Sequence, residues 1–242
     1  MARMTLDELV DQLRKAYGEG LRSVVLYGSA AGGEHIPDRS DHNVLVIADA
    51  LPLERLRAAA ATARAWAEAG NTPMMTLTTA EWRRSADVFP MEYADILERH
   101  RVLHGDPPFE GIVVRPEDLR HQLEFEARGK LLHLRQQALA AGRDGRRELA
   151  LLEASLSAVL VLLRAVLRLD GARPPADNDV LVRDVAARAG LDEAPLLAVL
   201  RHVRGKPRLT ADDAGATLAG YISGVERLVA YVDQHAAGRG SA

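Results

Sequence analysis

The sequence predicts an α+β domain followed by an all-α helical bundle, and three observations carry that prediction. Short β-branched and apolar runs alternate with helical patterns as far as residue 115. Beyond Pro116 every periodic segment is helical. The change follows Gly105-Asp106-Pro107-Pro108, a dense cluster of chain breakers. Strands mixed with helices and then helices alone point to two layered units rather than one. The expected boundaries are a domain over 1–115, a bundle over 116–237 and a disordered tail over 238–242.

The elements follow in order. Thr5-Leu6-Asp7-Glu8 reads as a capping box, and Leu6, Leu9, Val10 and Leu13 recur at helical spacing until Gly18 and Gly20. Ser23–Tyr27 reads as a strand ended by Gly28-Ser29, and Val44–Ile47 as a second strand apolar on both faces. An alanine-rich helix is expected over 53–69, a third strand over 74–78, a short helix from Ala80 capped by Thr79, and another helix over 91–100. Ile112-Val113-Val114 reads as a last strand. The bundle helices are expected over 117–141, 146–169, 178–189, 193–204 and 211–235. Gly190 and Gly205 are expected as C-caps, and Thr210 with Asp213 opens the last helix.

Composition excludes several functions. The 242 residues include no cysteine, which removes disulfides and thiolate metal sites. Net charge is −3 and aromatic residues are 4%, which argues against a nucleic-acid surface. MARMTLDELV lacks the apolar core of a signal peptide. The most apolar run, Ala154–Leu163, is bounded by Glu153 and Arg164, too short to span a bilayer, and reads as a buried core helix. The expectation is a cytoplasmic protein without a membrane partner; the oligomeric state stays open.

The informative stretch runs from Val24 to Ile47. One strand ends in Gly28-Ser29, and the next begins directly after Ser40-Asp41-His42-Asn43. This resembles the nucleotidyltransferase superfamily that includes DNA polymerase β and the aminoglycoside nucleotidyltransferases. The family pattern is a strand ending in Gly-Ser, a short helix, and Asp-x-Asp or Asp-x-Glu entering the next strand. The resemblance is strongest over 22–50 and looser to about residue 115. The helical half matches the aminoglycoside enzymes in architecture, with no motif behind it.

The resemblance implies a mixed sheet with flanking helices and a nucleoside triphosphate bound with magnesium. It also implies transfer of a nucleoside monophosphate to a hydroxyl of a small-molecule acceptor. Such catalysis is mostly positioning and charge neutralisation. Gly28 and Ser29 would contact the triphosphate, with nearby N–H groups donating to phosphate oxygens. Residues i and i+2 of a strand share a face, so Asp41 and Asn43 would project together as magnesium ligands. Two departures stand out. Asn43 is neutral where the family carries its second acid, and the candidate third strand, Met74–Thr78, carries no acid. One carboxylate lost beside a divalent ion forfeits about 8 kcal/mol by a Coulomb estimate at 4 Å and an effective dielectric of 20, before solvation offsets part of it. Glu34 and Asp38 lie in the intervening loop as possible substitutes. The depleted acid set leaves a non-catalytic nucleotide- or partner-binding module as the alternative.

Gln122, Glu126, Lys130 and His133 share a helical face. If that face meets the N-terminal domain, Glu126 is the candidate general base and Lys130 a phosphate contact. The bland reading is a solvated stripe. Glu124 is a second candidate base. Arg128-x4-His133 also matches the loose Arg-His motif of HEPN-type RNases, which makes an RNase or toxin–antitoxin role a third reading. His100 and His104 have helical metal spacing, but Arg101 stands where a zincin has glutamate and Gly105 ends the segment.

Overall fold

The computed structural model describes residues 4–28, 30–31, 42–205 and 207–237. Ser29, Glu34, Asp38, Asp41 and the expected tail over 238–242 lie outside the described residues. The chain divides into two compact units, Met1–Arg115 and Pro116–Ala242.

In the first unit, α1 (Leu6–Tyr17) opens with the capping box: Glu8 N–H donates to Thr5 Oγ1 at 3.2 Å, and Thr5 N–H donates to Glu8 Oε2 at 2.8 Å. A 3-10 turn over Gly18–Gly20 leads into β1 (Leu21–Tyr27). Next come β2 (Asn43–Ala48), α2 (Leu53–Ala58), α3 (Ala60–Glu68), β3 (Met75–Thr78), α4 (Thr79–Arg84), α5 (Pro90–Glu98) and β4 (His100–Gly105). The sheet order is β3-β2-β1-β4, with β1 antiparallel to both β2 and β4 and β2 parallel to β3.

The central strands are buried on both faces because their side chains alternate between two apolar cores. Val24, Leu26, Val44 and Val46 pack with Leu9, Leu13 and Trp66, beneath α1 and α3. Val25, Leu45 and Ile47 pack with Trp82, Tyr93 and Ile96, beneath α4 and α5. Trp82 and Tyr93 stack with ring centroids 4.1 Å apart, and the Tyr93 hydroxyl donates to Trp82 O at 2.7 Å.

Four sequence expectations are corrected in this unit. The helix expected over 53–69 is two helices joined at Ala59. Thr78 rather than Thr79 caps α4, with its own capping box to Glu81. The segment from His100 is a strand: β1 has an open edge, and Val102 and Leu103 serve opposite cores there. Ile112–Val114 has no strand partner; Ile112 and Val114 pack as coil against the Trp82 core. Gly105 ends β4 at φ +77, where a Cβ would lie 1.8 Å from Arg22 O, so only glycine fits.

The second unit is helical: α6 (Pro116–Ala141), α7 (Gly145–Leu169), α8 (Asn178–Ala189), α9 (Ala194–Val203) and α10 (Ala211–Ala237). Gly190 caps α8 in the left-handed conformation, and Thr210 and Asp213 bond reciprocally at the start of α10. Asp144 and Asp177 cap α7 and α8 through their carboxylates. Among the described residues α7 is the one helix long and apolar enough to cross a membrane, with a mean hydropathy of 2.0 over its most apolar window. It is the core helix of its own bundle, burying Leu152, Leu156, Val159, Leu163 and Val166. Two of its polar side chains bond inside the bundle: Arg164 Nη2 donates to Asn178 Oδ1 at 2.7 Å, and Ser155 Oγ to the Tyr221 hydroxyl at 3.2 Å.

Candidate functional site

The site begins where β1 ends. Tyr27 pairs with Asn43 on one side and with His100 on the other. Gly28 then turns away at φ +78, a conformation that costs glycine little. A Cβ at Gly28 would lie 3.2 Å from Asn43 Nδ2 and 3.3 Å from Asp95 Oδ2. Two polar side chains from different elements therefore meet at a residue that has no side chain. Gly28 N–H donates to Arg99 O at 3.0 Å, so it is engaged with the chain rather than turned to a ligand.

Asp95 was not legible as a site residue. It sits on α5 and forms an ion pair with Arg99, one helical turn on. Their side chains are 20% and 16% exposed. The i,i+4 Asp–Arg spacing was visible in the sequence, but such pairs stud most helices. Only the packing of α5 beside the end of β1 brings this one to Gly28.

The chain leading into β2 is held from the other face. Strand parity puts His42 opposite Asn43, toward the core that contains Trp66, and their rings lie 6.0 Å apart. His42 N–H donates to Asn71 Oδ1 at 3.2 Å, and His42 Nδ1 lies 3.2 Å from the same oxygen. Asn71 is buried, its Nδ2 donates to Trp66 O at 3.3 Å, and Trp66 Nε1 donates to Thr72 O at 2.9 Å. The turn after α3 thus clamps the residue beside Asp41. The sequence carried no periodic signal for this clamp, because Asn71 read only as a helix stop.

The strand register tests the expected metal site. β3 runs parallel to β2 with Met75 opposite Leu45, and the strand Met-Thr-Leu-Thr carries no acid. Asn43 faces Tyr27 on its other side. Neither neighbouring strand supplies a carboxylate, and Asp95 is committed to a guanidinium. Among the described residues no three His, Asp or Glu side chains come together. A two-ion clamp needs several shared carboxylates. The described donors do not form one by themselves; Asp41, the acid of the expected pair with Asn43, lies outside the described residues.

The other candidates sit in different settings. Glu126 is exposed and Lys130 half-buried on α6, with Gln122 half-buried and His133 exposed. Glu124 accepts from Arg120 at 2.8 Å and from Arg128 at 3.2 Å, and these guanidiniums hold its carboxyl below the usual glutamate range, Arg120 first. A carboxylate stabilised in this way is a poor base. Arg128 also binds Asp233 through both oxygens at 2.7 Å, so the HEPN-like arginine serves helix–helix pairing. His100 and His104 lie on β4, where a rise of about 3.3 Å per residue sets them too far apart to share one ion. Elsewhere in the first unit, Asp11, Arg14, Lys15, Gly18, Glu19 and His104 rim an open groove of about 510 Å³ with both signs of charge.

No protein-family model matches the sequence, and no curated protein matches it. Among solved structures the chain is similar to spectinomycin adenyltransferase AAD(9) from Enterococcus faecialis, whose crystal structure contains ATP and spectinomycin. The TM-score is 0.63 at 13% identity, and the match covers 92% of this chain and 97% of that one. The likeness shows the fold: a mixed sheet with flanking helices followed by a helical part, as in that adenyltransferase.

Proposed function

We propose that the chain binds a nucleoside triphosphate and transfers its nucleoside monophosphate to a hydroxyl of a small, aminoglycoside-type acceptor. The observation that supports this most is the near-complete coverage of both this chain and an adenyltransferase solved with ATP and spectinomycin. In that reaction the acceptor oxygen bonds to the α-phosphorus, the bond from that phosphorus to the bridging oxygen breaks, and pyrophosphate leaves. The acceptor proton passes to a base. Glu126 is the proposed base and Lys130 a proposed phosphate contact. Gly28 and Ser29 are the proposed triphosphate turn, and Asp41 keeps the one acid of the family pattern that this chain retains.

A second reading, a nucleotide- or partner-binding module without chemistry, is favoured by Asn43 and by the acid-free strands on either side of it.

The first measurement is the melting midpoint with each nucleoside triphosphate, for the wild type and Asp41→Ala. A ligand at 100 times its Kd adds about 2.7 kcal/mol of stability, enough to raise the midpoint visibly. Chromatography of reactions containing ATP and a panel of aminoglycosides and spectinomycin then tests transfer. Transfer that disappears in Asp41→Ala supports the enzyme. Nucleotide stabilisation without transfer to any acceptor supports the binding module. Transfer unchanged by Asp41→Ala overturns the proposed role of Asp41.

A further inference from the structure

Helix α6 packs against α7 and α10 and buries Leu119, Leu123, Leu131 and Leu134. Its outer face is apolar as well. Phe125, Leu132 and Leu139 are 76%, 58% and 84% exposed. They recur every seven residues, the spacing of a left-handed helix–helix seam. Gly129 lies on the same face between the first two, and nothing stands within 4 Å of the place its Cβ would take. A glycine in the middle of a 26-residue helix weakens that helix relative to alanine. Packing among the described residues does not require the missing side chain. A second helix laid along the row would, because a glycine lets another backbone come close.

We propose that this apolar row is the interface of an antiparallel dimer, its occupant being the same row of a second copy of the chain. The row is complementary to itself in shape. One two-fold register sets Leu132 of each chain into the notch at Gly129 of the other, with Phe125 beside Gln136. It is complementary in charge too. That register carries the acidic first turn of α6, Glu117 and Asp118, toward Arg143 of the second copy, just past the helix end. In a two-fold antiparallel pair each flank faces its own copy, so bare arginines there would repel. Arg128 and Arg135 on that flank are instead paired at 2.7 Å with Asp233 and Glu226 on α10 of their own chain. Glu126 stands about 100° round the helix from Phe125, at the rim, and the inference does not rest on the nucleotide reading. An interface of three large side chains and a notch belongs to the small, weak class.

The test is sedimentation velocity of the full chain over a concentration series from about 5 to 500 µM, with a thermal melt of every variant. The wild type is expected to shift from monomer toward dimer across that range. Gly129→Gln fills the notch without adding charge. It is expected to weaken dimerisation by about tenfold or more and yet to raise the melting midpoint of the dilute chain, since a better helix former replaces glycine where nothing obstructs it. Leu132→Lys is expected to abolish the dimer and leave the chain folded. The chain has no cysteine, so orientation can be read by disulfide formation. A mixture of Phe125→Cys and Gln136→Cys is expected to cross-link faster than either variant alone. A wild type that stays monomeric at every concentration overturns the proposal. So does a dimer that Gly129→Gln and Leu132→Lys both leave intact, and so does Phe125→Cys that cross-links faster to itself than to Gln136→Cys.

Discussion

The two units put charged side chains to opposite uses. In the first, Asn43 from β2 and Asp95 from α5 meet at Gly28, and Asp95 pairs with Arg99, whose backbone oxygen accepts from Gly28 N–H. In the second, Arg128 pairs with Asp233 and Arg135 with Glu226, each at 2.7 Å and about half-exposed, stapling α6 to α10. On α6 a polar stripe looked like a site by its spacing, yet it is bordered by pairs that hold helices together. On α5 a similar spacing had no claim to attention, yet it reaches the strand end. Spacing along one helix does not separate the two cases. Convergence of distant segments on a residue without a side chain does.

The largest expected effect is at that residue. Gly28→Val forces a β-branched side chain to φ +78 against Asn43 and Asp95. It is expected to cost about 2–3 kcal/mol of stability and to abolish nucleotide-induced stabilisation in a melt. A variant that keeps full nucleotide binding would show that Gly28 takes no part in it. Next comes Glu126→Gln. If Glu126 is the base, kcat falls by about 10²–10⁴ while ATP affinity is unchanged in calorimetry. Unchanged kcat would return the whole α6 stripe to the structural side.

A smaller effect belongs to Tyr93 in the core beneath α4 and α5. Burial pushes its hydroxyl up to about 12, from a tyrosine's usual 10.0. The unfolded chain loses that proton first, so this contribution is complete below pH 10 and is lost as pH rises toward 12. Tyr93→Phe removes the bond to Trp82 O, is expected to cost about 1 kcal/mol at neutral pH, and flattens the alkaline decline in urea titrations. The smallest effect is Asp233→Asn in the second unit. An exposed pair contributes no more than about 1 kcal/mol, and nucleotide binding is expected to be untouched.

The helices of the second unit were legible almost to the residue, because their signals are local. Thr210 with Asp213 and Gly190 mark ends within one turn of themselves. The first unit was legible where the signal was local, as in the Thr5 capping box, or where an apolar run had to be a buried strand. It failed at His100–Gly105, whose strand character comes from the open edge of β1 some 75 positions earlier in the chain. Ile112–Val114 failed for the converse reason, an apolar run with no edge left to join. At the site, Gly28 and Asn43 were found through their places at strand ends. Asp95, Arg99, His42 and Asn71 were not, since nothing within a few residues of each distinguishes it.

Local pattern sets the mixed first unit, the helical second unit, the turn at Gly28 and the neutral residue at position 43. Those follow from periodicity, capping chemistry and the conformational freedom of glycine, which act over a few residues. The fold as a whole decided that β4 would close the sheet, that Asn43 would pair with Tyr27, and that Asp95 would stand at Gly28. These depend on which strands find hydrogen-bonding partners and on how the helices cover the two sheet faces. Such contacts join residues far apart in the chain, where local pattern carries no information.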